Sequence, residues 1–322
     1  HEFLENPAGF GAPLTVRKHM DDWEFEEAIR RIEQSNAVYD ELAEADRLLP
    51  EADLMPIVQP QFEAASNEQE LDEVTDLVAR LAEGANQLVG PLGDLSDALP
   101  PGWIFPVAVN SALRDQRFDD VMPAITPAIA AAQYVAEANE FLPQAGILDK
   151  YQARFENTAT TTALEQLASD ARSDSRNASL ASFALDELQN VVGDWTIPDA
   201  VTRPLEQGQL EVGLKIVEDA TAVIVAARNA DLALARAADL ELVETGLREE
   251  VQPLFEGVST GAEMAALRED IEARGGAAAR VGDALGEISL IVPDWEIPVV
   301  IVEPVAAGDY FAAVAPAETA QQ

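Results

Sequence analysis

The chain has 322 residues, with 59 acidic against 20 basic side chains, a net charge of −39 and no cysteine. A field this negative opposes nucleic acid and anionic membrane surfaces, both polyanions, and the missing cysteine excludes disulfide scaffolds, thiolate metal sites and thiol nucleophiles. Apolar residues make up 48% of the sequence, enough for a sizeable core and too many for wholesale disorder.

The opening residues, His1-Glu2-Phe3, read as a vector scar or a product of processing. No signal peptide is recognisable. Residues 1–12 are a tail or the end of a preceding unit. Phe10 and Pro13 then open the first of four related stretches. Trp103-Ile-Phe-Pro106, Trp195-Thr-Ile-Pro198 and Trp295-Glu-Ile-Pro298 open the others, at proline spacings of 93, 92 and 100 residues. A phrase recurring at such a period marks repeated structural units. The boundaries follow: 13–105, 106–197, 198–297 and a partial unit, 298–322.

Within each unit the proline suits the first turn of a short helix, as over Val107–Asp115. A polar turn follows, then a longer helix. That helix starts at Phe25, Phe118, Leu210 and Tyr310, each twelve residues after its proline. In the first unit it reads Phe25-x-x-Ala28-Ile29-x-x-Ile32, at helical spacing. In the second it runs to about Glu140, and Pro123 and Pro127 kink its start. A loop leads to Phe62, Phe155 and Phe255. Asn67, Thr160 and Thr260 then read as N-caps, with Glu70 and Glu263 completing a capping-box pattern in two of them. The third helix carries Leu71, Val74, Leu77, Val78 and Leu81 in the first unit, and Leu164 and Leu167 in the second. Breaks are expected at Val89-Gly90-Pro91-Leu92-Gly93 and at Gly275-Gly276. Val192-Gly193-Asp194 and Val292-Pro293-Asp294 return the chain to the next tryptophan. The extra residues of the third unit fall between Pro198 and Phe255. Val299-Val300-Ile301-Val302 is strand-like locally, but the repeat frame assigns it to a short helix.

The predicted fold is therefore all-α: tandem three-helix repeats forming an extended array or solenoid. The aromatic at the head of each unit is expected to wedge one unit against the next. The hairpin around Gly308-Asp309-Tyr310-Phe311-Ala312-Ala313, with its copy at Asp22–Ala28, resembles the Gly-Asp-Tyr-x-x-Ala turn of tetratricopeptide repeats. That resemblance implies helical hairpins that stack and hold partner peptides. The family's unit is about 34 residues with two helices, so the likeness is one of hairpin chemistry. Spectrin-like units are nearer in length, but the junction prolines oppose their continuous linker helices.

Conventional chemistry lacks parts. The two histidines are His1 and His19. The positions matching His19 are Ala112, Pro204 and Pro304, so a surface or partly buried structural role is expected for it. Carboxylate pairs such as Asp119-Asp120 read as solvated helix faces. Arg274-Gly275-Gly276 lacks the lysine and preceding strand of a phosphate loop. Asn177-Ala178-Ser179 fits a glycosylation triplet but carries no weight. No stretch is long and apolar enough to span a bilayer, since Pro123 and Pro127 interrupt Val121–Ala136. Lysine is confined to Lys18, Lys150 and Lys215, which fits a high-GC genome or a salt-adapted host.

The expectation is a non-enzymatic helical module without cofactor or metal. It serves as spacer or protein-binding surface, its partner another protein or neighbouring domains. The cut-off fourth unit, the acidity and the Ala315-Pro316-Ala317 end point to an extracytoplasmic part of a larger bacterial protein. Two alternatives stand beside it: an intracellular, cytoplasmic scaffold that binds partner peptides, and an enzyme with acidic residues in a cleft.

Overall fold

A computed structural model describes residues 10–235, 246–292 and 295–322. Among these residues the chain is all-helical, with no strand. The helices come in a recurring series. The first is α1 (Leu14–Asp21), α2 (Phe25–Leu48), α3 (Met55–Ala64) and α4 (Glu68–Ala98); the second is α5 (Val107–Arg114), α6 (Phe118–Phe141), α7 (Ile147–Glu156) and α8 (Thr161–Val192). The third is α9 (Asp199–Glu206), α10 (Leu210–Ala235), α11 (Leu247–Glu256) and α12 (Gly261–Ile291), and α13 (Val299–Ala306) and α14 (Tyr310–Gln321) begin a fourth.

Among the described residues each of the first three series thus holds four helices where the sequence predicts three. A ten-residue helix occupies the predicted loop before Phe62, Phe155 and Phe255. Its apolar residues stand four apart: Leu54, Val58 and Phe62; Ile147, Tyr151 and Phe155; Leu247, Val251 and Phe255, all buried. A 3-10 turn precedes it in the first two series, at Pro50–Ala52 and Pro143–Ala145. In these turns the Ala52 N–H returns to the Leu49 carbonyl and the Ala145 N–H to the Leu142 carbonyl, each at 3.0 Å.

The predicted breaks are absent. α4 runs unbroken through Gly90, Pro91 and Gly93, because Leu88, Leu92 and Leu95 carry its buried stripe across them. α12 runs through Gly275-Gly276, because a glycine there serves close approach to α10 rather than termination. A Cβ at Gly275 would stand 3.1 Å from the Ala226 carbonyl oxygen. α6 continues through Pro123 and Pro127, with Val121, Ala124, Ile125, Ala128, Ala131, Ala132 and Val135 buried. Tertiary packing of an apolar face outweighs local propensity in each case.

Helix ends follow local chemistry. Asn67, Thr160 and Thr260 each accept the backbone N–H three residues on, from Glu70, Ala163 and Glu263. The Glu70 carboxylate reaches back to the Ser66 N–H and hydroxyl (2.7 and 2.9 Å), and Glu263 does the same at Ser259 (2.8 Å to each). Alanine stands at the matching position of the second series, so that return bond is missing. The four junction prolines sit at the N-cap, directly ahead of the first helical turn, with extended backbone. The turn from the first helix to the second places Trp23, Gln116, Gly208 and Gly308 in the left-handed region. The N–H of the following residue returns to the carbonyl five back, as from Arg117 to Ala112 (2.9 Å) and from Asp309 to Pro304 (2.8 Å). The Val299–Val302 segment is helical, inside α13.

Contacts divide the chain into two compact units, residues 1–136 with 148–172 and residues 137–147 with 173–322. In the first, α2 packs on α4. Gln34 on α2 reaches Asp72 (2.8 Å) and Thr75 (3.2 Å) on α4, and buried Arg31 binds Glu27 (2.8 Å) and Glu68. In the second, α10 packs on α12, which also packs on α14. Asp219 and Arg268, at the positions matching Gln34 and Thr75, form an ion pair of 2.7 Å there, with Lys215 also on Asp219 at 2.6 Å. No described helix is long and apolar enough to cross a membrane. The predicted tail before Phe10, the turn at Pro293-Asp294 and part of the third unit's extra length, residues 236–245, lie outside the described residues.

Candidate interaction site

The feature that recurs with matched geometry is a joint between the head of a series and its ten-residue helix. Phe10 stacks edge-on against Phe62 with ring centroids 5.7 Å apart. Trp103 meets Phe155 at 5.2 Å and Trp195 meets Phe255 at 5.4 Å. All six rings are buried. Such pairs contribute about 0.5–1.5 kcal/mol beyond the burial of their area.

A polar clasp lies beside each ring pair. The residue after the phenylalanine is Glu63, Glu156 or Glu256. Its carboxylate accepts the backbone N–H of the residue after the head aromatic: Gly11 at 2.7 Å, Ile104 at 3.3 Å and Thr196 at 2.9 Å. One turn back along the same helix, the Gln59, Gln152 and Gln252 amides donate to that carboxylate at 2.8, 2.9 and 2.9 Å. In the first two series a main-chain bond adds to the clasp, from Thr15 N–H to Ala65 and from Ala108 N–H to Thr158, each 2.8 Å. Arg248 covers the Trp195 ring at 5.5 Å and pairs with Asp194 at 3.2 Å.

The clasp residues were within reach of the sequence: Gln-x-x-Phe-Glu stands at 59–63, 152–156 and 252–256. A second acid-to-amide contact secures the start of the ten-residue helix. Asp46 accepts the Leu54 and Met55 N–H groups (2.7 and 3.3 Å), and Asp231 accepts those of Leu247 and Arg248 (2.6 and 3.2 Å). Burial pushes the Asp231 carboxyl up, and the two N–H groups pull against that shift.

Other predicted positions lie away from the joint. Phe25, Phe118, Leu210 and Tyr310 open the second helices. Leu210 and Tyr310 are buried, Phe118 is half-buried over Gly84, and Phe25 is exposed beside Trp23. Pro13, Pro106 and Pro198 are buried beside their rings. Trp295 is half-buried and Pro298 exposed. The His19 ring stands 2.5 Å from the Glu24 carboxylate across the α1–α2 turn. A cleft of about 590 Å³ lies between α4 and the α5–α6 turn, lined in part by Arg80, Glu83, Asp115 and Arg117. Its Arg117 is held by Asp115 (3.1 Å) and Asp120. Among the described residues no group of three His, Asp or Glu side chains is placed to hold a metal ion.

The clasp makes a pH prediction. The Thr196 N–H, and then the Gln252 amide, hold the Glu256 carboxyl below its ordinary 4.5. A folded pKa below the unfolded one contributes stability that is present above pH 4.5 and is lost as pH falls through the folded value. The urea midpoint of Glu256→Gln is expected below that of the unsubstituted chain at pH 7. The gap should close as pH drops below 4.5. A gap of constant size down to pH 3 would mean the charge plays no part in the clasp.

No family model, curated protein or solved structure matches this chain.

Proposed function

We propose that the chain is a non-enzymatic helical repeat module, an extended array serving as a spacer or protein-binding surface. One observation carries this reading. The residues that recur with matched geometry are those that fasten a helix to a distant stretch of chain: the aromatic head and Gln-x-x-Phe-Glu. An array held by nearest-neighbour joints gains length by adding units, and its repeated faces supply binding surface. The extracytoplasmic location expected from the sequence stays part of the proposal.

Small-angle X-ray scattering tests it. A compact globule of this length has a radius of gyration of about 20 Å. The expected value is well above that, with a distance distribution skewed to long separations. A radius near 20 Å would overturn the extended array.

A further inference from the structure

Three turns follow one of the long fourth helices: those that lead into α6, α10 and α14. In two of them the residue opening the next helix is sealed. Leu210 and Tyr310 are both buried. Ahead of Tyr310, Gly308 lies against the ion pair of Glu250 and Arg274, and a Cβ there would stand 3.0 Å from the Glu250 carboxylate. The remaining turn is open. Phe118 is only half-buried, and it lines the cleft of about 590 Å³ between α4 and the α5–α6 turn. Described helices of the first two series flank this cleft in sequence, so its opening is not an effect of a chain end. Two residues shape it. A Cβ at Gly84 would stand 2.3 Å from the Phe118 ring, so the ring's position depends on that glycine. Gln116 holds the left-handed conformation (φ 49°) that Gly208 and Gly308 hold in the later turns. That conformation is uncommon for a residue with a side chain, and backbone strain of this kind collects at binding sites.

The cleft joins an apolar floor to two unspent charges of opposite sign. Leu77, Leu81 and Phe118 supply the floor. On the α4 side, Arg80 donates through Nε to the Asp76 carbonyl at 3.3 Å and, among the described residues, forms no ion pair. On the α6 side, Asp119 accepts no hydrogen bond from another described side chain. The neighbouring charges are already engaged: Arg117 by Asp115 at 3.1 Å and by Asp120, and Glu83 by the Gln87 amide at 3.3 Å. We propose that this cleft is a binding site for a free aromatic amino acid. Its carboxylate meets the Arg80 guanidinium, its ammonium meets the Asp119 carboxylate, and its ring lies on Phe118 and the two leucines. The volume falls in the range of small-molecule sites, where an apolar lining gives area and a few polar groups fix orientation. Aromatic rings add an offset or edge-on contact to that area. The net charge of −39 selects for a zwitterion. An aromatic acid without an ammonium group is repelled by that field and leaves Asp119 unmatched. An aromatic amine without a carboxylate leaves Arg80 unmatched. A zwitterion carries no net charge and satisfies both.

The site goes beyond the repeat-module reading and does not depend on it, because an extended or a compact scattering profile leaves the cleft as it is. The probe is 4-fluoro-L-phenylalanine, followed by ¹⁹F NMR line width as the intact chain is added. Saturable broadening is expected, reversed by unlabelled L-phenylalanine. N-acetyl-L-phenylalanine lacks the ammonium and L-phenylalaninamide lacks the carboxylate. Each should compete at least about tenfold more weakly, the loss expected when a charged hydrogen bond is removed. Arg80→Gln and Asp119→Asn should each weaken binding by about the same factor. Both side chains are exposed, so both variants keep the fold, which an unchanged circular-dichroism melt verifies. No broadening with probe at up to about 10 mM, beyond the reach of any millimolar site, overturns the proposal. Equal competition by the two blocked ligands also overturns it, since the ring alone would then be recognised. So does full binding by Arg80→Gln, which would place the probe elsewhere on the surface.

Discussion

Phe155→Ala is expected to destabilise the chain by about 3–5 kcal/mol, the range for deleting a buried aromatic ring. Phe155 is fully buried, and it is the third of three apolar anchors on α7 after Ile147 and Tyr151. Its ring stands 5.2 Å from that of Trp103. Truncation therefore opens a cavity and uncovers one face of the indole. It also frees the end of α7, where Glu156 holds the Ile104 N–H at 3.3 Å. Phe155→Leu keeps most of the volume and should cost less than half as much. The comparison that isolates the joint is a double-mutant cycle with Trp103→Ala. Residues in contact couple by about 0.5–3 kcal/mol, so the double variant should be less destabilised than the two single variants together by an amount in that range. Urea unfolding followed by circular dichroism and by tryptophan fluorescence measures all three. Additivity within about 0.5 kcal/mol would mean that ring and indole are merely neighbours, and the joint would lose its standing as a cooperative unit.

What could be read from the sequence depended on whether a residue's role is local. The helical class was legible because apolar spacing along α4, and prolines and cap residues at helix starts, act within a turn or two of themselves. Asn67, Thr160 and Thr260 cap helices for reasons visible within four residues. The ten-residue helix was hidden because it is barely longer than the pattern that would betray it. Pro60 and Pro253 inside it also read as loop signals. The aromatic heads were conspicuous, yet their partners were not. Glu63, Glu156 and Glu256 bind main-chain N–H groups roughly fifty to sixty residues away, and in a chain with 59 acidic residues another glutamate carries no signal by itself. Only the repetition of Gln-x-x-Phe-Glu sets them apart. The glycines were misread for a related reason. A glycine that ends a helix and one that lets another helix come close look alike in sequence, and only packing distinguishes them.

That distinction gives the second large effect, and it predicts opposite signs for two glycines of one helix. Gly282 and Gly276 both lie within α12. In a helix interior, alanine is favoured over glycine by about 0.8–1.0 kcal/mol, so propensity alone stabilises either replacement. At Gly276 nothing lies within 4 Å of the added methyl. Gly276→Ala should therefore raise stability by up to about 1 kcal/mol. At Gly282 the methyl would stand 2.4 Å from both the carbonyl carbon and oxygen of Ala233, in the backbone of α10. Backbone cannot rotate aside as a side chain can, so α10 and α12 must separate where Gly275 meets Ala226 and Gly282 meets Ala233. Overpacking of this kind costs about 1–3 kcal/mol. It outweighs the propensity gain, and Gly282→Val, with two further methyl groups and a stiffer side chain, should exceed Gly282→Ala. Hydrogen exchange of α10 and α12 amides locates the loss, with faster exchange along that contact in Gly282→Ala and slower exchange in Gly276→Ala. If both alanine variants were stabilised alike, α10 and α12 would not be packed at glycine distance, and the account of α12 running unbroken through Gly275-Gly276 would lose its physical basis.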